Sequence, residues 1–291
     1  MSATRDEIHK QPDAWLKAAA AATQYVSSLP RPGETVAVVG CGTSWFMAQA
    51  YARIREAAGE GWTDAIAASE MPHRNYDRVL AITRSGTTTE VLDLVHRMRG
   101  QVPTLAITSD LSTPIVAAAD ETIDLSFAGE ESVVQTVFAT ACLSLLRASL
   151  GWNPAEVAQA ARSALAQQLP AALTCADQWT FLGYDWSVGL AEEAALKMRE
   201  ACLAWTEAYP AMEYRHGPIS IAQPGRAVWC LGRAPDGLAE QVAATGADFV
   251  QYDEDPQVSL VRVHQLALVV AARKGIDPDH PRNLTRSVVL S

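Results

Sequence analysis

The chain has 291 residues, 49% of them hydrophobic, with 23 basic and 33 acidic side chains and a net charge of −10. That length and composition describe a folded protein with room for two small domains, and the acidity makes it a poor non-specific binder of nucleic acid. Five scattered cysteines with no CxxC pair point to reduced thiols in a cytoplasmic protein, and no apolar run approaches the roughly 18 residues of a membrane span.

Pro12 and Asp13 are expected to open a first helix whose apolar face runs from Trp15 to Val26 and which ends at Leu29-Pro-Arg-Pro-Gly33. Its alanine run, Ala18 to Ala22, is approached by Lys17 and followed by no apolar h-region, so it is not a signal peptide. Strands are expected at Thr35–Val39, Arg78–Thr83, Thr104–Thr108 and Glu121–Leu125, and helices at Thr43–Glu60, Glu90–Arg99 and Ile115–Ala119. Helices over Val133–Leu150 and Pro154–Leu169 close this half. The alternation resumes with a strand at Thr180–Gly183, a helix at Leu190–Trp205, strands at Ala227–Leu231 and Asp248–Tyr252, a helix at Val258–Lys274 and an irregular tail. Strands alternating with helices predict an α/β fold of parallel sheets covered on both faces. Two such blocks joined by helix near 150–175 suggest a divergent duplication.

Two strand-to-helix turns carry hydroxyls. Gly40-Cys-Gly-Thr-Ser44 brings Gly42, Thr43 and Ser44 to a helix N-terminus, and Thr83-Arg-Ser-Gly-Thr-Thr88 repeats the arrangement with Thr83, Arg84, Ser85 and Thr88. Either turn alone is also what an ordinary N-cap looks like. The first lacks the third glycine of a dinucleotide fingerprint, and neither is followed by a Walker lysine. On neighbouring strands the two would face one crevice and suit a small phosphate ester. Cys41 sits at a helix N-terminus, where a thiol pKa can fall, but it reads better as a small residue that lets the backbone close in.

In Glu193-Ala-Ala-Leu-Lys-Met-Arg-Glu200, the spacing sets Glu193, Lys197 and Glu200 on one helix face. The bland reading is a surface ion pair beside a solvated glutamate near Arg199. The chemical reading is a half-buried carboxylate tuned to move protons without a metal. His216 follows in Glu213-Tyr-Arg-His-Gly-Pro218, on irregular exposed backbone, with Glu207 and Glu213 read as positioning its loop. The other five histidines lack metal-ligand spacing, so no metal or cofactor is expected.

In order, the GCGTS turn, the SGTT turn, the EEAALKMRE helix, the EYRHGP loop and the tail Pro278-Asp-His-Pro-Arg-Asn-Leu-Thr-Arg-Ser287 resemble the sugar isomerase (SIS) family, best known from the isomerase half of glucosamine-6-phosphate synthase. The resemblance covers nearly the whole chain. It implies two tandem SIS domains, each a doubly wound parallel sheet flanked by helices: an N-terminal helix at 1–28, a first domain at 29–152, a linking helix at 153–176 and a second domain with the tail at 177–291. It implies that Ser44, Thr83, Ser85 and Thr88 hold a sugar phosphate, with Gly42, Thr43 and Arg84 in the same turns. Glu200 would move a proton between C1 and C2, while Glu193 and Lys197 line the site. It also implies a homodimer in which His216 enters the neighbouring subunit's site and assists ring opening.

Two departures matter. No glutaminase domain with a nucleophilic cysteine precedes the short N-terminal helix, and Arg286 stands where the synthase has a lysine, leaving a role in binding but not in Schiff-base chemistry. Transamidation is therefore the least favoured reaction. Three outcomes of C2 proton removal stay open: aldose–ketose isomerisation, deamination of an amino sugar phosphate, and β-elimination from an N-acetylated one. A non-catalytic sugar-phosphate sensor is the alternative of another class. Too few residues precede the first strand for a helix-turn-helix domain, and both Glu200 and His216 are present, which favours chemistry.

Overall fold

The computed structural model describes residues 2–290. Strands β1 (Val36–Gly40), β3 (Arg78–Ile82) and β4 (Thr104–Thr108) are buried at every position, as strands covered on both faces must be. With β2 (Thr63–Ala67) and β5 (Glu121–Asp124) they form a parallel sheet in the order β2-β1-β3-β4-β5. Its helices are α2 (Thr43–Ala57), α3 (Thr89–Met98), α4 (Ile115–Ala118) and α5 (Val137–Ala148). A second parallel sheet has the order β7-β6-β8-β9, from β6 (Gln178–Gly183), β7 (Thr206–Pro210), β8 (Arg226–Leu231) and β9 (Asp248–Gln251). Helices α6 (Ala155–Leu165) and α7 (Ala171–Thr174) precede it, and α8 (Ser187–Cys202), α9 (Leu238–Ala244) and α10 (Pro256–Lys274) lie between and after its strands. The α/β class and the parallel sheets expected from sequence are both present.

The chain divides into two compact units. The first-sheet unit comprises Asp13–Glu131, Gln135–Ala155 and the tail from Thr285. The second-sheet unit comprises the chain up to Pro12, Ser132–Val134 and Glu156–Leu284. The tail, grouped by sequence with the second domain, thus clusters with the first sheet. In each sheet the first strand has its successors on both sides, so the order reverses between β1 and β3, and again between β6 and β8.

The first helix begins earlier than expected. Helix α1 spans Ala3–Gln24 with Pro12 inside it. Proline has no N–H for the carbonyl four residues back, and the Gln11 side chain donates to Ile8 O instead, at 3.1 Å. The Asp279 carboxylate caps the helix, accepting from the Ala3 and Thr4 amides at 2.9 and 2.8 Å. Helix α5 starts at Val137 rather than Val133 because Glu130 caps it, accepting from the amides of Thr136 (2.6 Å), Val137 (2.7 Å) and Phe138 (3.3 Å). Strands β2 and β7, absent from the sequence reading, are both sheet edges; short, partly exposed and carrying Asp64 or Glu207, they lack a buried apolar run.

Arg55, fully buried near the end of α2, donates to the carbonyls of Arg31, Glu34, Glu60 and Gly61 and to the Thr63 hydroxyl, at 2.6–3.2 Å. One guanidinium therefore ties the entry to β1 to the entry to β2. Arg55→Met removes all five bonds at once, although Arg31 O, Glu60 O and Gly61 O each keep a second donor in Glu34 N, Gly33 N and Thr63 Oγ1. We expect a loss of about 3 kcal/mol or more in urea unfolding. A change no larger than a surface substitution produces would show that water replaces the guanidinium.

Candidate active site

The carboxyl ends of β1 and β3 flank the reversal in the first sheet, and both hydroxyl turns leave from them. Gly42 stands at the N-cap of α2 with φ 53° and no side-chain cap bond, so Thr43 and Ser44 lie inside the helix and are not caps. Both residues are buried to about 4% exposure, and neither hydroxyl has a hydrogen-bond partner among the described residues. A Cβ at Gly40 would approach Ser44 Cβ to 2.8 Å, so glycine is what lets α2 start this close to β1. Cys41 is pushed up from the usual thiol range by burial and by the Glu90 charge, which opposes the lowering expected from its helix terminus.

In the second turn, Thr83 Oγ1 accepts from the Gly86 amide at 3.2 Å, and Gly86 has φ 63°. A Cβ there would sit 2.0 Å from Thr113 Oγ1, which closes the position to any side chain. Arg84 is buried and turned inward: its guanidinium lies 3.8 Å from the Glu130 carboxylate and donates to Arg286 O at 3.1 Å. Arg286 in turn donates to Glu130 O. The outer rim is a cluster of hydroxyls. Ser85 and Thr87 donate to Ser287 Oγ at 3.1 and 3.0 Å, and Thr88 Oγ1 lies 3.4 Å from the same atom. Thr87 and Ser287 were not singled out from sequence. The signal available was only that Ser287 follows Arg286 in a tail carrying family-like residues.

In the second-sheet unit, α8 starts from a close strand-to-helix turn. A Cβ at Gly183 would meet Ser187 O at 2.3 Å, and Ser187 Oγ both accepts from Tyr184 N (2.8 Å) and donates to Tyr184 O (2.9 Å). The helix ends at Leu203 in the left-handed region, with Lys274 of α10 donating to Cys202 O and Leu203 O at 3.0 and 3.3 Å. Between these ends the expected charged face forms. Lys197 is buried, 3.5 Å from Glu193 Oε1, and its ammonium donates to Glu200. Glu193 and Lys197 are 1% and 2% exposed at the side chain, whereas Glu200 is 19% exposed. The pair is therefore no surface ion pair, and Glu200 is the one member of the row that reaches solvent. Arg199 is turned to Thr206 O and Oγ1 on the edge strand β7.

His216 ends the short 3-10 turn Glu213–His216, is exposed, and makes no hydrogen bond among the described residues. Arg215 anchors the turn through Gln241 Oε1 and Asp236 O, each at 2.6 Å. Glu213 is on this turn, but Glu207 is not a loop residue: it stands on β7 and faces Thr180 Oγ1 at 3.5 Å.

Residues 31–150, the stretch that holds the first sheet, match the family model for the SIS domain. Over 98% of its length the chain is 26% identical to a glutamine–fructose-6-phosphate aminotransferase (isomerizing) of Methanothermobacter thermautotrophicus, of which it covers 57%. It is 28% identical to the Sulfurisphaera tokodaii protein of the same name, over 88% of this chain and 50% of that one. The chain thus spans about half the length of the curated relatives it matches. Its fold matches a glucosamine-6-phosphate deaminase of Thermotoga maritima with a TM-score of 0.82, 25% identity, and coverage of 99% of this chain and 100% of that one. An Escherichia coli tagatose-6-phosphate ketose/aldose isomerase shares the fold at a TM-score of 0.80 and 16% identity, over 100% of this chain and 96% of that one. Among the described residues no helix is long and apolar enough to cross a membrane.

Behind the charge row lies a residue that the sequence did not mark. His264 of α10 is 2% exposed, its Nδ1 is 3.1 Å from Gln11 Nε2, and its Nε2 has no partner among the described residues. Burial, then the Lys197 charge, pushes its pKa from 6.5 down to about 3. Above pH 6.5 neither the folded nor the unfolded chain protonates this imidazole. Between pH 6.5 and about 3 only the unfolded chain does, so stability falls as pH drops through that window. The slope is up to about 1.4 kcal/mol per pH unit. Denaturant unfolding of wild type and His264→Gln between pH 7 and 4 checks this: the variant should lose that part of the pH dependence, and parallel curves would mean that His264 takes up its proton while folded.

Proposed function

We propose that this chain is an enzyme of amino sugar metabolism, built from two tandem SIS domains, that acts on a hexose or amino sugar 6-phosphate by moving the C2 proton. The reading rests above all on the charge row of α8, in which two buried partners hold a single carboxylate, Glu200, at the solvent edge. The likeness to a glucosamine-6-phosphate deaminase along the full length of both chains supports it. Thr43, Ser44, Thr83, Ser85 and Thr88 take the phosphate, and Gly42 lets the first turn form. Arg84 and Arg286 brace the second turn. Glu200 removes hydrogen from C2 of the open-chain sugar and returns a proton at C1. With a free amine on C2 this converts the sugar to a ketose imine, which water hydrolyses to the ketose phosphate and ammonia. Lys197 stays protonated between its two carboxylates and orients Glu200, with Glu193 behind it.

Glu200→Gln keeps the shape and removes the base. Turnover of glucosamine 6-phosphate, followed as ammonia and ketose phosphate, should fall by roughly 10²–10⁴ while binding survives. Unchanged turnover would remove Glu200 from the mechanism. Loss of water or of a C3 substituent from an N-acetylated sugar phosphate, with no ammonia from the free amine, would make the protein a lyase. Tight binding with no turnover of any of these sugars would make it a sensor.

The exposure of His216 supports a homodimer in which the partner's His216 assists ring opening. Inactive Glu200→Gln and inactive His216→Ala proteins, mixed under conditions of subunit exchange, should then regain part of the activity. No recovery after demonstrated exchange would assign His216 to the site of its own chain.

A further inference from the structure

We infer that Ser287, on the C-terminal tail, is a phosphate-binding residue: its hydroxyl completes the cluster made by Ser85, Thr87 and Thr88. The inference rests on the reading of the Thr83–Thr88 turn as the phosphate site, and it adds a ligand from a part of the chain about 200 residues away. Three hydroxyls of the turn converge on one atom, Ser287 Oγ, at 3.0, 3.1 and 3.4 Å. Two of them donate to it, so this oxygen accepts in the manner of a phosphoryl oxygen.

Such a contact is consistent with two opposite roles. The tail is either a plug that phosphate must displace or a fixed wall of the site. The bonds on either side of Ser287 decide for the wall. Before it, Arg84 donates to Arg286 O at 3.1 Å, and the Arg286 guanidinium donates to Glu130 O. After it, the Thr89 amide donates to Val288 O at 3.2 Å and the Leu290 amide to Thr89 Oγ1 at 2.9 Å. Thr285 Oγ1 closes the loop on Ser287 O at 2.8 Å. Expelling the tail would break the first four of these, the fifth lying within the tail itself, whereas admitting a phosphate needs only rotation of four hydroxyl protons toward it. Hydroxyls turn about a single bond at little cost, and a bond to a dianion is stronger than the neutral ones it replaces. Ser287 is half-buried, so the arriving group can reach it.

Calorimetry with glucosamine 6-phosphate and with inorganic phosphate tests this on wild type, Ser287→Ala, Ser287→Thr and Ser85→Ala. Ser287→Ala should raise Kd for both ligands roughly tenfold to a hundredfold, the cost of one hydrogen bond to a charged group. Ser287→Thr, which keeps the hydroxyl, should stay within a few-fold of wild type. No core residue is touched, and an unchanged unfolding midpoint verifies that the fold is intact. Tighter binding in Ser287→Ala would overturn the inference and make the tail a plug. Loss of binding in Ser85→Ala with none in Ser287→Ala would overturn it while leaving the phosphate turn in place. Full binding in all three variants would remove the turn's role as well.

Discussion

Glu130 is the residue on which the first-sheet unit's site depends. Its carboxylate is buried with no exposure and carries its charge among donors: three amides at the start of α5, the Thr136 hydroxyl at 3.0 Å and the Arg84 guanidinium at 3.8 Å. A carboxylate removed from water is costly unless most of its lone pairs are matched, and here they are. The consequence reaches three elements at once. The helix cap sets where α5 begins, and the ion pair turns Arg84 away from the crevice. The backbone carbonyl of the same residue receives Arg286 and so fixes the tail. Neutralising Glu130 would therefore loosen the hydroxyl turn without touching any hydroxyl in it.

The second-sheet unit meets the same problem differently. Lys197 is surrounded by two carboxylates and a neutral imidazole, so the buried set carries a net negative charge that one exposed member, Glu200, shares with solvent. The histidine stays neutral, its Nδ1 accepting from the Gln11 amide, because a second cation beside Lys197 in a dry interior would cost more than an unpartnered ring N–H at Nε2. That choice keeps the Lys197 ammonium as a cation facing Glu200 from within. The packing of α10 on α8 that supplies His264 also supplies Lys274, which closes the last turn of α8. Helix α8 is thus packed on and closed at its end by one neighbour.

Much of this was legible in the sequence for a simple reason: continuous apolar strands and an i, i+4, i+7 charge row are local patterns. Strands β1, β3, β4, β6 and β8 fall within a residue or two of their apolar runs. The edge strands β2 and β7 did not announce themselves, because an edge needs no second apolar face and tolerates Asp64, Glu207 and Pro210. Long-range partners were invisible in principle. Nothing near Pro12 shows that Asp279 caps the helix nine residues before it, and nothing near His264 shows that Gln11 and Lys197 surround it. The helix terminus beside Cys41 was read correctly, but its effect on the thiol was reversed by burial, a property of the packed fold and not of the motif.

Arg286 illustrates how a substitution at a family-like position redistributes work. A lysine there presents one compact ammonium that can lose its proton, whereas the guanidinium is a planar fork that stays charged. In this chain the fork is spent on Glu130 O, and the carbonyl of the same residue takes a bond from Arg84. Both ends of Arg286 therefore serve to hold the tail against the hydroxyl turn, and neither is suited to proton exchange. Along the charge row of α8, the carboxylate with an accessible lone pair is Glu200. Hydrolysis of a ketose imine asks for no covalent lysine, so a tail built for grip instead of chemistry is compatible with deamination and leaves Ser287 facing the place where the phosphate would sit.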